Sequence, residues 1–504
     1  MNAADDAVDY GDVQGMVRFA YKHLTDACYL LLTIKSARAA GAWLSSAPVT
    51  TAVEMRPPPA SALQAAFTAP GLRALGVSDD VIAGFAPEFI AGMAGTEDRS
   101  RRLGDVGANA PAYWAWGAPQ REPHVLLALF AAPGTLDAFK SAIATSAFNE
   151  AFEEIACLDT SNLEGVEQFG FTDGISQPSI DWQRSRNLRG DKARYGNIVA
   201  LGEFLLGYPN EYNCYTERPL LPSGGLNDVL GPAEDQPDKR DLGRNGTYVV
   251  LRDLRQDVRG FWQFLYAHAQ SVHLEGEALA EAFVGRKMNG DPLVPIGQAP
   301  IEGVEGTQQA VLQNRFTYAD DPRGVRCPFG AHIRRANPRN ADLPSVPSGP
   351  IATLWQMLGF RKSAFYDDLI SSTRFHRILR RGREYGPGLS IADAKNPPPP
   401  GDPARGLRFV CINANIARQF EFLQNAWIAN DKFGGLTGGS DPILGNREHA
   451  AGDRSTSAFA IDREDGARAQ VTDLPPFVTV TGGAYFFLPS LRTLRYLAQT
   501  GAEG

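Results

Sequence analysis

Gly170-Phe171-Thr172-Asp173-Gly174-Ile175-Ser176-Gln177-Pro178 is the stretch on which the reading of this chain turns. It sets one carboxylate between glycines, where the backbone can approach a flat surface closely. Asp-Gly pairs are also common turn formers, so the stretch alone reads as a turn as readily as a site. Downstream, Arg326-Cys327-Pro328-Phe329-Gly330-Ala331-His332-Ile333-Arg334-Arg335-Ala336-Asn337-Pro338-Arg339 puts a histidine at the entry to a basic run. Imidazole is an axial ligand for haem iron, and guanidinium groups pair with carboxylates such as propionates. The plain alternative is a partly buried histidine beside a solvated arginine cluster.

Working outward, the apolar run 29–34 reads as a buried strand and the alanine-rich 36–44 as a helix. Arg56-Pro57-Pro58-Pro59 interrupts regular structure, and a helical pattern resumes over 61–67. A strand is expected at 124–131 and a helix at 135–155, opened by Pro133 and Gly134. The charged, Gly- and Pro-rich run 184–241 looks like a long excursion from a sheet. Tyr248-Val249-Val250-Leu251 has strand character, and 257–269 is an aromatic helix whose Phe261, Trp262, Phe264 and Leu265 read as core. Beyond His332 come a short helix or turn at 351–358, an exposed proline run at 397–400, a strand at 407–413 and a helix at 416–430. A strand pair, 477–481 and 484–488, turns around Gly482-Gly483 before a last helix at 490–499. With no glycine-rich phosphate loop after a strand, this order indicates an α+β sheet and not a dinucleotide-binding fold. The second half offers similar strand–helix–strand units without a sequence repeat, which divides the chain into 1–240 and 241–504.

The chain has 504 residues, 43% hydrophobic and 21% charged, an ordinary globular balance. Its net charge of -8 argues against general nucleic-acid binding, which needs a basic footprint. The five cysteines, Cys28, Cys157, Cys214, Cys327 and Cys411, show no CxxC spacing, disulfide framework or zinc pattern. With no signal peptide, twin-arginine pair or membrane span in view, a cytoplasmic setting is the expectation.

Taken together, the Asp173 and His332 segments resemble the dye-decolourising peroxidase family of haem enzymes. The similarity continues through Asp12-Val13-Gln14-Gly15, Gly202-Glu203-Phe204-Leu205-Leu206-Gly207, Leu242-Gly243-Arg244-Asn245-Gly246-Thr247 and Gly482-Gly483-Ala484-Tyr485-Phe486. The length resembles the longer members. The resemblance implies an α+β fold of two ferredoxin-like halves, packed sheet to sheet as a dimeric α+β barrel-type arrangement of antiparallel sheets with peripheral helices. It implies one haem b per chain, held mainly by the C-terminal half.

Site roles follow from the same resemblance. Asp173 is the expected distal acid and base, with Gly174 beside the cofactor. Arg380, in Ile378-Leu379-Arg380-Arg381-Gly382-Arg383, is the expected charge stabiliser, with Arg381 one residue away as the alternative. Some relatives carry an asparagine two positions beyond that arginine; here it is Gly382. His332 is the expected iron ligand, with Arg335 or Arg334 as propionate partner. A carboxylate should accept the other ring N–H of that histidine, and Asp431 and Asp441 both qualify. His23, His124, His268, His273, His376 and His449 read as surface or core groups.

The activity implied is reduction of hydrogen peroxide with one-electron oxidation of dyes or phenolic compounds; the alternative is a haem-handling protein of the same fold. An aspartate base works in acid, so an optimum below neutral is expected. With seven Trp and fifteen Tyr, Trp427 is a candidate for a surface aromatic radical, and packing is its competing role. Oligomeric state is left open.

Overall fold

Two alternating patterns of apolar side chains dominate the main sheet. On the strand 26–34, Leu30 and Leu32 face one core while Tyr29 and Leu31 face another. A strand buried on both faces reads as an unbroken apolar run, which is why 29–34 was legible as a strand. The computed structural model describes residues 8–186, 196–296, 307–339, 372–447 and 456–503. The expected element at 351–358 and His449 lie outside the described residues.

The main sheet has nine strands: β1 (Asp26–Ile34), β2 (Ser61–Phe67), β3 (Val125–Ala131), β4 (Phe152–Asp159), β5 (Thr247–Gln256), β6 (Leu379–Arg380), β7 (Arg383–Tyr385), β8 (Gly406–Asn413) and β9 (Val478–Leu488). Their order is β6-β8-β5-β9-β2-β3-β1-β4, with β7 also on β8, and every pairing is antiparallel. In the first half, helix Ala37–Leu44 follows β1 and helix Leu136–Ile143 follows β3, giving a βαββαβ unit in the order β2-β3-β1-β4. In the second, helix Val258–His268 follows β5 and a helical stretch at 417–428 follows β8. The order there, β6/β7-β8-β5-β9, repeats the first. Both halves are therefore ferredoxin-like.

The halves share one sheet edge to edge through Phe487 of β9 and Phe67 of β2. The ladder does not close into a complete barrel among the described residues, but the inner faces of the two halves share one core, with the Arg383 guanidinium over the Phe130 ring and Tyr29 Oη donating to Arg381 O. At the opposite edges, hydrogen bonds outside the ladder join the halves: Ser161 N–H donates to Glu384 O at 2.7 Å, Gln168 Nε2 to Tyr385 O at 2.7 Å and Arg383 Nη1 to Leu24 O at 2.7 Å. β7 has three residues, too few to build a second ladder.

Three sequence expectations change. The segment 61–67 is strand β2, because its alanines are buried in a ladder with β3 that overrides their helical propensity. The expected helix 135–155 breaks after Ile143, restarts over Ser146–Ala151 and gives way to β4. The strand pair around Gly482-Gly483 is one strand with a bulge between Val480 and Gly482. A Cβ on Gly482 would lie 2.5 Å from the Trp116 indole, so glycine permits that close approach. No helix of the described residues is long and apolar enough to cross a membrane.

Candidate active site

The loop ahead of Asp173 is built around Glu167. Its carboxylate accepts the Phe169 and Phe171 N–H groups at 2.9 and 3.1 Å and Gln256 Nε2 at 2.9 Å. Asp173 N–H donates to Gly165 O at 2.9 Å, and Thr172 is fastened to Met288 O through N and Oγ1, each at 3.0 Å. Gln177 then joins this loop to β6: Arg380 N–H donates to its Oε1 at 3.0 Å and its Nε2 donates to Arg380 O at 3.2 Å. The two expected distal residues thus arrive together although far apart in sequence.

Arg380 Nη1 donates to Asp173 Oδ1 at 2.8 Å, and each side chain is 33% exposed. Burial pushes the Asp173 carboxyl up, but the Arg380 guanidinium, the Gly174 N–H and the Arg380 hydrogen bond outweigh it and hold it below the ordinary carboxylate value. Arg381 turns the other way, as alternation along a strand requires. Its Nε and Nη2 donate to Met16 O and Val17 O at 2.7 and 3.0 Å, so it does not reach Asp173. A Cβ on Gly382 would lie 2.5 Å from Arg408 O, so an asparagine there would force the β6–β7 edge away from β8.

Asp173 and Arg380 share a cavity with His332. The carboxylate that orients the histidine is Asp441, not Asp431: Asp441 Oδ2 lies 2.9 Å from His332 Nδ1. Asp441 is fully buried, and its Oδ1 also accepts Ile443 and Leu444 N–H at 2.9 and 2.8 Å. Burial raises its pKa, yet His332, Arg335 and the Leu444 N–H bring it below the usual carboxylate range. An ionised Asp441 accepts from Nδ1, which leaves Nε2 as the ring nitrogen offered to the cavity.

Arg334 and Arg335 are not in the cavity wall. Arg335 is fully buried and donates to the Gly330, Trp427, Asn430 and Gly439 carbonyls. Arg334 pairs with Asp321 and donates to Cys327 O. Both positions depart from the propionate expectation, because their guanidinium groups are turned into the protein and away from the cavity. The arginines that do line the cavity are Arg286, Arg339, Arg377 and Arg380. Arg339 ends the same basic run as His332, and its signal was present in Asn337-Pro338-Arg339 but masked by the nearer pair.

His376 is a second departure, since its ring lines the cavity, stacked on Phe422 at 3.6 Å between centroids. Burial takes its pKa down to about 4, so it is neutral in mild acid. Trp427 is 9% exposed, with its ring edge-on to His376 and Phe422, a packing role. The helical stretch at 417–428 that carries it has π-type hydrogen bonds, such as Glu421 N–H to Ile416 O. The rest of the wall is largely apolar, including Val284, Leu407, Phe409, Leu423 and Ile443. An oriented imidazole, apolar walls and several arginines suit a flat anionic haem.

No family model matches the chain. It is 31% identical to the multifunctional dye peroxidase DyP2 of Amycolatopsis sp. over 68% of this chain and 62% of that protein. It is 28% identical to a dye-decolorizing peroxidase of Mycena epipterygia over 98% of this chain and 88% of the relative. A decolorizing peroxidase structure from Auricularia auricula-judae superposes with a TM-score of 0.69 at 25% identity, covering 97% of this chain and all (100%) of that one. The paired distal residues, the carboxylate-held histidine and these likenesses converge: the chain belongs to the dye-decolourising peroxidase family and is a peroxidase.

Proposed function

We propose that the chain uses haem b to reduce hydrogen peroxide while oxidising dyes and phenolic compounds one electron at a time. The observation that carries this reading is the Asp173–Arg380 ion pair sharing a cavity with His332, whose Nδ1 is held by Asp441. His332 Nε2 would hold the iron, and the cavity arginines Arg286, Arg339 and Arg377 would supply the positive charge facing the propionates. Bound haem iron would supply the redox centre at which peroxide is reduced. The Asp173 carboxylate takes a proton from hydrogen peroxide and returns it to the departing oxygen, so that water leaves. Arg380 keeps Asp173 ionised beforehand and stabilises the negative charge that develops as the oxygen–oxygen bond breaks. Asp441 keeps the proton on Nδ1, which fixes the tautomer and makes the ligand nitrogen a better electron donor. Aromatic donors are supported by a related structure described as a complex with 2,6-dimethoxyphenol.

The test is the haem absorption spectrum of reconstituted wild type, Asp173→Asn and Arg380→Leu, followed in stopped flow after one equivalent of hydrogen peroxide. Asp173→Asn should slow the spectral change by about 10²- to 10⁴-fold, the usual worth of a positioned acid–base group. Arg380→Leu should slow it by about 10²- to 10³-fold. Tight haem binding with a slow reaction indifferent to both substitutions would instead indicate a haem-handling protein.

A further inference from the structure

Outside the haem cavity, the fold brings together two cysteines whose sequence positions gave no hint of proximity. Cys28 lies on β1 and Cys157 on β4, the strand at one end of the sheet path. The register pairs Cys28 with Asp159 and Leu30 with Cys157, so the cysteines sit diagonally across the two strands on one face. Their sulfurs and an Asp159 carboxylate oxygen all lie within 4.8 Å of one another. Lys140, from helix Leu136–Ile143, places Nζ 3.2 Å from Cys157 Sγ. Cys28 is buried, whereas Cys157 is half-buried.

Among the described residues this is the one cluster with the donors for a metal ion. The ammonium argues for a different use. A cationic metal would share the Cys157 sulfur with a positive charge already in contact with it, whereas a neutral oxidant meets no such repulsion. An adjacent ammonium stabilises thiolate, the form that reacts with peroxide.

We propose that Cys157 is a peroxide-reactive thiolate and Cys28 its resolving thiol, which makes this edge of the N-terminal half a reversible redox site separate from the haem cavity. The oxidant is hydrogen peroxide, the enzyme's own substrate. The Cys157 thiolate attacks one peroxide oxygen and the oxygen–oxygen bond breaks. Cys157 becomes a sulfenic acid, and the departing hydroxide takes a solvent proton to become water. The Cys28 sulfur then attacks the Cys157 sulfur, its thiol proton leaving with the sulfenic oxygen as a second water, and a disulfide forms. In sum, one thiol, one thiolate, one proton and one peroxide give one disulfide and two waters. The sulfurs must close from within 4.8 Å to bonding distance, about 2.05 Å, through side-chain rotation and a small strand adjustment. The pKa directions agree: the Cys28 hydrogen bond and the Lys140 ammonium bring the Cys157 thiol below its ordinary value against burial and against the Asp159 carboxylate, which lies 3.4 Å from the same sulfur.

Cys214 is the internal reference, being exposed, with its Sγ 3.6 Å from Tyr212 O. In the reduced holoenzyme near neutral pH, iodoacetamide should label Cys157 faster than Cys214. Lys140→Met should slow Cys157 labelling by about tenfold through the lost thiolate and leave Cys214 unchanged. Excess hydrogen peroxide should give a thiol-reversible bridge between the Cys28 and Cys157 peptides. In Cys28→Ser it should instead give a dimedone adduct on Cys157. Labelling of Cys157 no faster than Cys214, survival of both thiols after peroxide, or a stoichiometric zinc ion in the purified protein would each overturn the proposal.

Discussion

Asp173 is pulled in opposite directions by burial and by Arg380, and under the proposed mechanism the side that wins would set the pH range of the reaction. Its folded pKa lies below the ordinary 3.8, so the proton-accepting carboxylate persists as the solution is acidified. The ion pair's contribution to stability has the same sign: it is present above the unfolded pKa and lost as pH falls through the folded one. The stopped-flow rate of peroxide reaction should therefore hold from neutrality to about pH 4 and decline only below it. A decline centred between pH 6 and 7 with haem still bound would assign the proton to another group. Arg335 is the contrasting residue. Because it ties four backbone carbonyls together in the interior, Arg335→Met should cost about 3–5 kcal/mol of stability, read as a lowered denaturation midpoint. Arg339, which lines the cavity and also donates to Asn314 O and Phe316 O, should on replacement by Leu lose haem affinity as well as stability, read by haem titration beside the denaturation midpoint. At this scale the motif around Asp173 was legible because its spacing is local. The choices between Arg380 and Arg381, or Asp431 and Asp441, depend on which way a side chain turns, and adjacent or similar residues carry no such mark.

The loop that presents Asp173 hangs on Glu167, which serves three donors from a buried position. Burial pushes Glu167 up to about 7 despite those donors. A carboxyl whose pKa rises on folding stabilises the fold below its ordinary value of 4.5, and that contribution is lost as pH climbs towards about 7. Glu167→Gln should flatten the fall in melting temperature across that window, measured by calorimetry from pH 4 to 8. A steeper fall in the variant would contradict the sign. Elements were read well from the sequence where apolar runs are continuous, as in β1, β3 and β8. They were misread where alanine propensity met a sheet environment, as in β2, and where a glycine pair looked like a turn but supports a bulge in β9.

For the whole molecule, the one ladder contact between the two halves among the described residues is the β9–β2 seam, and Phe487 is central to it. Its ring packs on Phe85 and Phe89 at 4.9 and 6.5 Å between centroids and on Tyr248 at 6.2 Å. Phe487→Ala should cost about 3–5 kcal/mol by leaving a cavity at this junction. Haem affinity should fall with it, because Asp173 comes from the loop after β4 and His332 from the second half. Equilibrium unfolding with haem release recorded in parallel would show both losses together. The overall α+β class was legible from element order alone. The shared open sheet was not, since the pairing of Phe67 with Phe487 joins residues from opposite ends of the chain.

Arg380 and Arg381 are consecutive, yet one meets Asp173 and the other grips the carbonyls of Met16 and Val17. The segment around Met16 and Val17 is thus mechanically in series with the Asp173–Arg380 pair, like a guy-line pegged behind the blade it steadies. Trimming or tagging that disturbs residues 14–18 would slacken the anchorage of β6 and retune turnover from the rear of the sheet, with every wall of the cavity still in place.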